Sequence, residues 1–246
     1  MRYLAAIVKL VKVVAHLLHG LLVVYVIFPK LTQAQKNKRI EVWAGALLAK
    51  FAIKFIVNGR PPKAGPVLLV SNHISWLDIL VIHAAGHCRF VSKSDIKHWP
   101  VLGTLTTSAS TLYIERESRR DAMRVVHHMS EALTDGDIVA VFPEGTTGNG
   151  VDLLPFHANL LQAAIATATP VQALALRYED AHERFSPALL WLGQTTLAQS
   201  VWATLNGRQL TVVIEVMPPR RSDHADRRAL AAALREDITT VLAGPP

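Results

Sequence analysis

The chain has 246 residues, 50% of them hydrophobic and 18% charged: enough for one sizeable α/β domain plus an appendage, and apolar for a soluble protein. Its net charge of +7 is uneven, because residues 1–60 carry ten Lys/Arg against Glu41 alone, giving +9, while the remaining sixteen basic and eighteen acidic residues give −2. The single cysteine, Cys88, excludes an intrachain disulfide and fits a reducing compartment, and the basic segment lacks the aromatic–basic motifs of nucleic-acid binders.

The first predicted element is "YLAAIVKLVKVVAHLLHGLLVVYVIF", residues 3–28. It exceeds the roughly 20 apolar residues that span a bilayer. It is too long for a cleaved signal peptide, and no A-x-A-like site follows. Lys9, Lys12 and His16 recur at helical spacing, so they share a face opposite Leu and Val. That pattern favours a helix lying in the membrane interface; a single span, or a helix packed on a soluble core, are the alternatives. A basic connector (30–39) leads to a second run, "VWAGALLAKFAIKFIV" (42–57), where Lys50 and Lys54 repeat the one-sided charge beside Phe51 and Phe55. Two amphipathic helices on anionic lipid are the simplest reading, each basic residue contributing about 1 kcal/mol there. Residues 1–60 are accordingly expected to associate with the membrane, and 61–246 to form the α/β domain.

Beyond residue 60, strand-like apolar runs recur at 66–70, 88–92, 111–115, 137–142, 170–178 and 210–217. Helical patterns lie between several of them, at 75–86, 118–136, 157–168 and 223–242, with Gly136 closing the second. Strands alternating with helices predict an α/β fold with a mixed, mostly parallel central sheet flanked by helices.

Three polar stretches interrupt this pattern. In "SNHISWLDIL" (71–80), His73 falls on a strand-to-helix turn, Ser75 at a plausible N-cap and Asp78 in the first helical turn. Such turns are where open α/β sheets place their sites. A histidine can take a hydroxyl proton near neutral pH, and a carboxylate beside it fixes its tautomer; a structural histidine is the alternative. In "VFPEGTTGNG" (141–150), Pro143 ends a strand, and Gly145, Gly148 and Gly150 form a loop that a ligand can approach closely. Glu144 stands at that strand end, where a carboxylate can orient a substrate hydroxyl. Lys93 and Arg116 lie near the ends of two further strands, where both cations can face the same mouth and hold an anion, or be solvated surface charges. His83, His87 and Cys88 sit at i, i+4 and i+5 without an evident fourth ligand, so no metal is expected.

Taken together, "NHISWLD" (72–78), "YIER" (113–116), "FPEGT" (142–146) and "TPVQALALRY" (169–178) resemble, in order, the four sequence blocks of the glycerolipid acyltransferase family, typified by the 1-acyl-glycerol-3-phosphate acyltransferases. The resemblance covers about residues 70–180. It implies that His73 is the general base and Asp78 its partner, that Arg116 contacts acceptor phosphate, and that Glu144, Gly145 and Thr146 belong to the acceptor-binding turn. The implied substrates are a lysolipid and an acyl thioester, either acyl-CoA or acyl-carrier protein, with no further cofactor. The implied location is the cytoplasmic face of the inner membrane. Two departures stand out: Thr147 replaces an arginine usual in the third block, and His157 and Ala158 stand where a lysine and a nearby glycine are often seen. Both weaken the case for lysophosphatidate, and "FPEGTT" also resembles acyltransferases of lyso-ornithine lipid, a phosphate-free acceptor. Direct transfer is expected. Ser75 or Cys88 as a covalent nucleophile is the alternative, and backbone N–H groups near the His73 turn are the expected oxyanion donors.

Overall fold

The order of apolar runs builds a seven-stranded sheet. In the computed structural model, which describes residues 2–114 and 119–244, the chain begins with helix α1 (Arg2–Val26) and helix α2 (Gln33–Lys50). Strands β1 (Lys54–Gly59) and β2 (Val67–Ser71), helix α3 (Leu77–Ala85) and strand β3 (Arg89–Lys93) follow. Next come helix α4 (Leu102–Ser108), strand β4 (Leu112–Ile114), helix α5 (Arg119–Thr134) and strand β5 (Ile138–Val141). The remainder is helix α6 (Gln162–Ala166), strand β6 (Val171–Glu179), helix α7 (Leu197–Asn206), strand β7 (Thr211–Val216) and helix α8 (Arg227–Ala243).

The strand order is β1-β7-β6-β2-β5-β3-β4, parallel throughout except for the antiparallel β6–β7 pair. β2 lies at the centre and is buried along its whole length, as parallel strands covered on both faces must be. Its alternate side chains enter different cores: Leu69 packs with Leu47, Phe51 and Ile82 on one face, Leu68 and Val70 with Met129, Leu133 and Leu234 on the other. Because β2, β5 and β6 run in parallel, the segments that leave their C-terminal ends emerge at one edge of the sheet. That edge carries both the His73 turn and the glycine-rich loop.

All six expected strands are present. The expected second membrane helix is corrected. α2 begins earlier, capped by the Thr32 side chain with a reciprocal bond from Gln35, and stops at Lys50. The chain then reverses through Ala52 at φ 60°, and the β-branched run Ile53–Val57 feeds β1, which pairs in parallel with β7. α2 buries Ile40, Ala44, Leu47 and Leu48, so its apolar stripe faces the protein. Among the described residues, only Tyr3–Val26 is long and apolar enough to cross a membrane.

The face α1 turns inward is also not the one its pattern implied. Lys9 Nζ donates to the Leu205 and Gly207 carbonyls at 3.2 and 3.4 Å, at the C-terminus of α7, where a cation complements the helix dipole. His16 stacks on Trp43 at 5.1 Å, and Gly20 leaves room for the same indole, since a Cβ there would lie 2.7 Å from its Nε1. Lys12 stays exposed, and Leu4, Ile7, Val11, Leu18 and Leu22 form the outer surface.

Candidate active site

Where β2 ends, Asn72 continues its pairing with a side chain instead of a backbone. Its carboxamide accepts from Leu176 N–H at 2.8 Å and donates to Leu176 C=O at 3.0 Å, so the main chain can turn away from β6 without orphaning that strand's polar groups. The next residue, His73, is clamped on both sides. Its N–H donates to Glu144 Oε1 at 2.7 Å, and its C=O accepts from Gly148 N–H at 2.7 Å. The glycine-rich loop therefore holds the histidine backbone directly. A side chain at Gly148 would crowd Glu144 Oε2 at 3.2 Å, and Gly145 holds φ 72°, a conformation that favours glycine.

The His73 ring and Asp78 meet at 2.7 Å between Nδ1 and Oδ2. The same Oδ2 accepts from the Ile74 and Ser75 N–H groups at 2.7 and 3.0 Å. Asp78 thus fixes the turn that leads into α3, whose N-cap, Trp76, makes no side-chain cap bond, while the Ser75 hydroxyl, expected to cap the helix, is buried without a partner among the described residues. The other carboxylate oxygen, Oδ1, accepts from Tyr178 Oη–H at 2.6 Å. Burial and the adjacent Asp78 push the Tyr178 phenol well above its usual range, so the tyrosine is the donor. Phe142 stacks on the His73 ring, centroids 4.0 Å apart and planes 11° from parallel, and Phe90 stacks behind it.

Asp78 is fully buried, whereas the His73 side chain keeps 18% of its surface exposed. With Nδ1 bonded to Asp78, the network assigns the ring proton to Nδ1 and leaves Nε2 as the lone-pair nitrogen. Such a ring, steadied by a carboxylate and partly open, can accept a hydroxyl proton. The backbone N–H groups of residues 73, 74 and 75 already donate to Glu144 and Asp78. These three are therefore already taken and are not free to serve as the oxyanion donors expected near the His73 turn.

Glu144 spends both oxygens on the main chain, Oε1 on His73 N–H and Oε2 on Leu154 N–H at 2.9 Å. Burial raises its pKa, while those two N–H groups and the nearby His73 pull it back. Gly145 lies in the turn against the His157 ring, which a Cβ at that glycine would meet at 3.1 Å. Thr146 is exposed beside it, and the Thr147 hydroxyl donates to the Trp191 carbonyl. Lys93 is exposed at the end of β3, two strands from β2, paired in register with Ile114. Arg116 lies outside the described residues.

His83 and His87 stack on each other at 5.3 Å, both Nδ1 atoms buried and unpartnered among the described residues. Cys88 is buried, and burial pushes its thiol up, away from thiolate chemistry. Sequence reasoning missed Tyr178, Phe142 as a ring partner, and Asn72 as a backbone mimic. The "NH" and "FPEG" blocks contained the last two, but nothing in the sequence tied Tyr178 to a residue 100 positions away.

Comparison with known proteins agrees with this architecture. Residues 53–177, half of the chain, match the family described as Acyltransferase. The chain is 37% identical over 213 residues to a 1-acyl-sn-glycerol-3-phosphate acyltransferase of Neisseria gonorrhoeae, covering 85% of this chain and 82% of that protein. It is 32% identical over 207 residues to a lyso-ornithine lipid O-acyltransferase of Pseudomonas aeruginosa, covering 82% and 77%. The crystal structure of the 1-acyl-sn-glycerophosphate acyltransferase PlsC from Thermotoga maritima superposes with a TM-score of 0.65 over 95% of this chain and 96% of that one, at 17% identity, and shares its fold. By the matched range and the identity to its relatives, the chain belongs to the acyltransferase family and is an acyltransferase.

Proposed function

We propose that the protein transfers a fatty acyl group from an acyl thioester, acyl-CoA or acyl-carrier protein, to the free hydroxyl of 1-acyl-glycerol-3-phosphate, giving phosphatidic acid. The observation that carries this reading is the 2.7 Å contact of a partly exposed His73 ring with a fully buried Asp78. The name of the Neisseria relative supplies the acceptor class.

In this mechanism His73 Nε2 takes the proton of the acceptor hydroxyl as its oxygen attacks the thioester carbonyl. Asp78 stabilises the imidazolium that forms, and Phe142 keeps the ring from rotating away. Collapse of the tetrahedral intermediate breaks the carbon–sulfur bond, and the imidazolium returns its proton to the thiolate. The products are an ester and a free thiol, with no acyl-enzyme. Lys93 and Arg116 serve the acceptor phosphate, and Glu144, Gly145 and Thr146 shape the turn beside it.

A second reading, a phosphate-free acceptor such as lyso-ornithine lipid, is favoured by one observation: Thr147 brings no cation to the turn and spends its hydroxyl on Trp191. The Pseudomonas relative carries that name. Purified protein assayed with lysophosphatidate and with lyso-ornithine lipid, each against acyl-CoA and acyl-carrier protein, separates the two. Preference for lysophosphatidate supports the first reading, and preference for the phosphate-free lipid replaces it. His73→Ala should lower turnover by about 10²–10⁴-fold; unchanged turnover would remove the mechanism.

The site is proposed to work at the cytoplasmic face of the inner membrane with α1 lying in one leaflet. α1 touches the rest of the protein from Lys9 to Tyr25, whose hydroxyl meets Thr104 at 3.4 Å. A span across the bilayer would pull α4 and α7 into hydrocarbon with it, whereas an interfacial helix leaves them at the headgroups.

A further inference from the structure

Two consecutive peptide planes carry the catalytic ring, the one joining His73 to Ile74 and the one joining Ile74 to Ser75. Both aim their N–H at Asp78 Oδ2, the atom that also meets His73 Nδ1. The carbonyl at the other end of each plane is held as well. His73 C=O accepts from Gly148 N–H at 2.7 Å, and Ile74 C=O accepts from Trp191 N–H at 3.2 Å. Trp191 comes from a third segment, the one that leads from β6 to α7. Its own C=O accepts from the hydroxyl of Thr147, the residue before Gly148.

These contacts close a ring. It runs from His73 to Gly148, along the chain to Thr147, across to Trp191, and back through Ile74 to His73. In a closed ring each bond holds its neighbours in place, and losing one frees the others to turn. Trp191 is a firm abutment for it. Leu189, two residues before, is fully buried. Leu190 C=O lies 3.5 Å from Ser200 Oγ on α7, and that oxygen accepts from Trp76 Nε1 at 3.1 Å. Beyond Trp191, its indole N–H donates to Thr195 C=O at 2.8 Å, and Thr195 N–H donates to Leu192 C=O at 3.1 Å. The segment is thus fixed on both sides of the one residue that bridges the histidine turn and the glycine-rich loop.

We propose that Thr147 is a positioning residue for acyl transfer. By holding Trp191 C=O it sets Trp191 N–H against Ile74, and so keeps the peptide planes after His73 aimed at Asp78, the partner of the catalytic ring. The inference rests on the reading of His73 as the general base. A general base displaced from its reacting geometry loses rate steeply, whereas substrate affinity depends on other contacts.

The test uses the full chain in detergent with Thr147→Val, which keeps the shape and removes the hydroxyl, and Thr147→Ser, which restores it. T147V should lower kcat about tenfold with every acceptor that wild type uses, leaving the KM values for donor and acceptor within about twofold, and T147S should recover kcat to within about twofold. Hydrogen exchange read by mass spectrometry is independent of acyl transfer. The amides of residues 73–75 and 191 should exchange about tenfold faster in T147V than in wild type or T147S, while those of α8 exchange alike in all three. Unchanged kcat in T147V, a raised KM with kcat intact, or equal losses in T147V and T147S overturn the proposal. So does exchange that is unchanged at the turn or faster everywhere alike. A wild type that transfers to no acceptor would remove the reading of function while the exchange measurement still decides the ring. Should T147V fail to fold, Thr147→Ala carries both measurements.

Discussion

Asp78 is the fixed point of the site: four donors converge on its two oxygens, from the His73 ring, two backbone N–H groups and the Tyr178 hydroxyl. Tyr178→Phe leaves Asp78 Oδ1 without its hydroxyl donor and should lower kcat about threefold to tenfold. Unchanged kcat would show that this bond does not steady the catalytic pair. Glu144 is bound differently, with each oxygen accepting a main-chain N–H. Glu144→Gln turns an amide toward one of those donors and should cost about 1–3 kcal/mol of stability, read as a lowered melting temperature. His73, Asp78 and Glu144 were legible in the sequence because short apolar flanks isolate them at element boundaries. Tyr178 was not, because it looks like one more large residue of a buried strand, and only the extension of β6 past the end of β2 brings it to Asp78.

At the scale of elements, α3 carries a pH response. Burial holds His83 down to about 3, helped by His87, and burial likewise holds His87 down to about 4. Both rings are neutral in the fold and gain a proton in the unfolded chain below the ordinary histidine value of about 6.5. Their contribution to stability is thus complete above that value and is lost as pH falls toward about 4 and then about 3. The melting temperature should drop between pH 7.5 and pH 5, and the double variant His83→Phe, His87→Gln should drop less; parallel curves would show that these rings do not set the response. The strands were legible as apolar runs bounded by turn residues. β1 was not, since Phe51–Val57 continues the charge spacing of the helix before it, and only the reversal at Ala52 and the pairing with β7 decide for a strand. α4 and α7 escaped notice because each is short, seven and ten residues long.

Across the whole molecule, α1 presents Leu4, Ile7, Val11, Leu18 and Leu22 outward while Lys9 and His16 tie it to α7 and α2. Leu18→Glu and Leu22→Glu should each weaken flotation with anionic vesicles by about tenfold, because a leucine leaving hydrocarbon forfeits its transfer energy. Lys9→Ala should leave flotation intact and instead lower the melting temperature by loosening α1 from α7. The seating of β7 between β6 and β1 has a temporal outcome. Asn58 and its partner Glu215 are separated by 157 positions, so a strand made early waits, unmated, until that length of chain has been added. By then α1 has long left the exit tunnel and met whatever surface it prefers. Closure of the sheet is therefore a late event in synthesis, its timing set by the length of chain between β1 and β7.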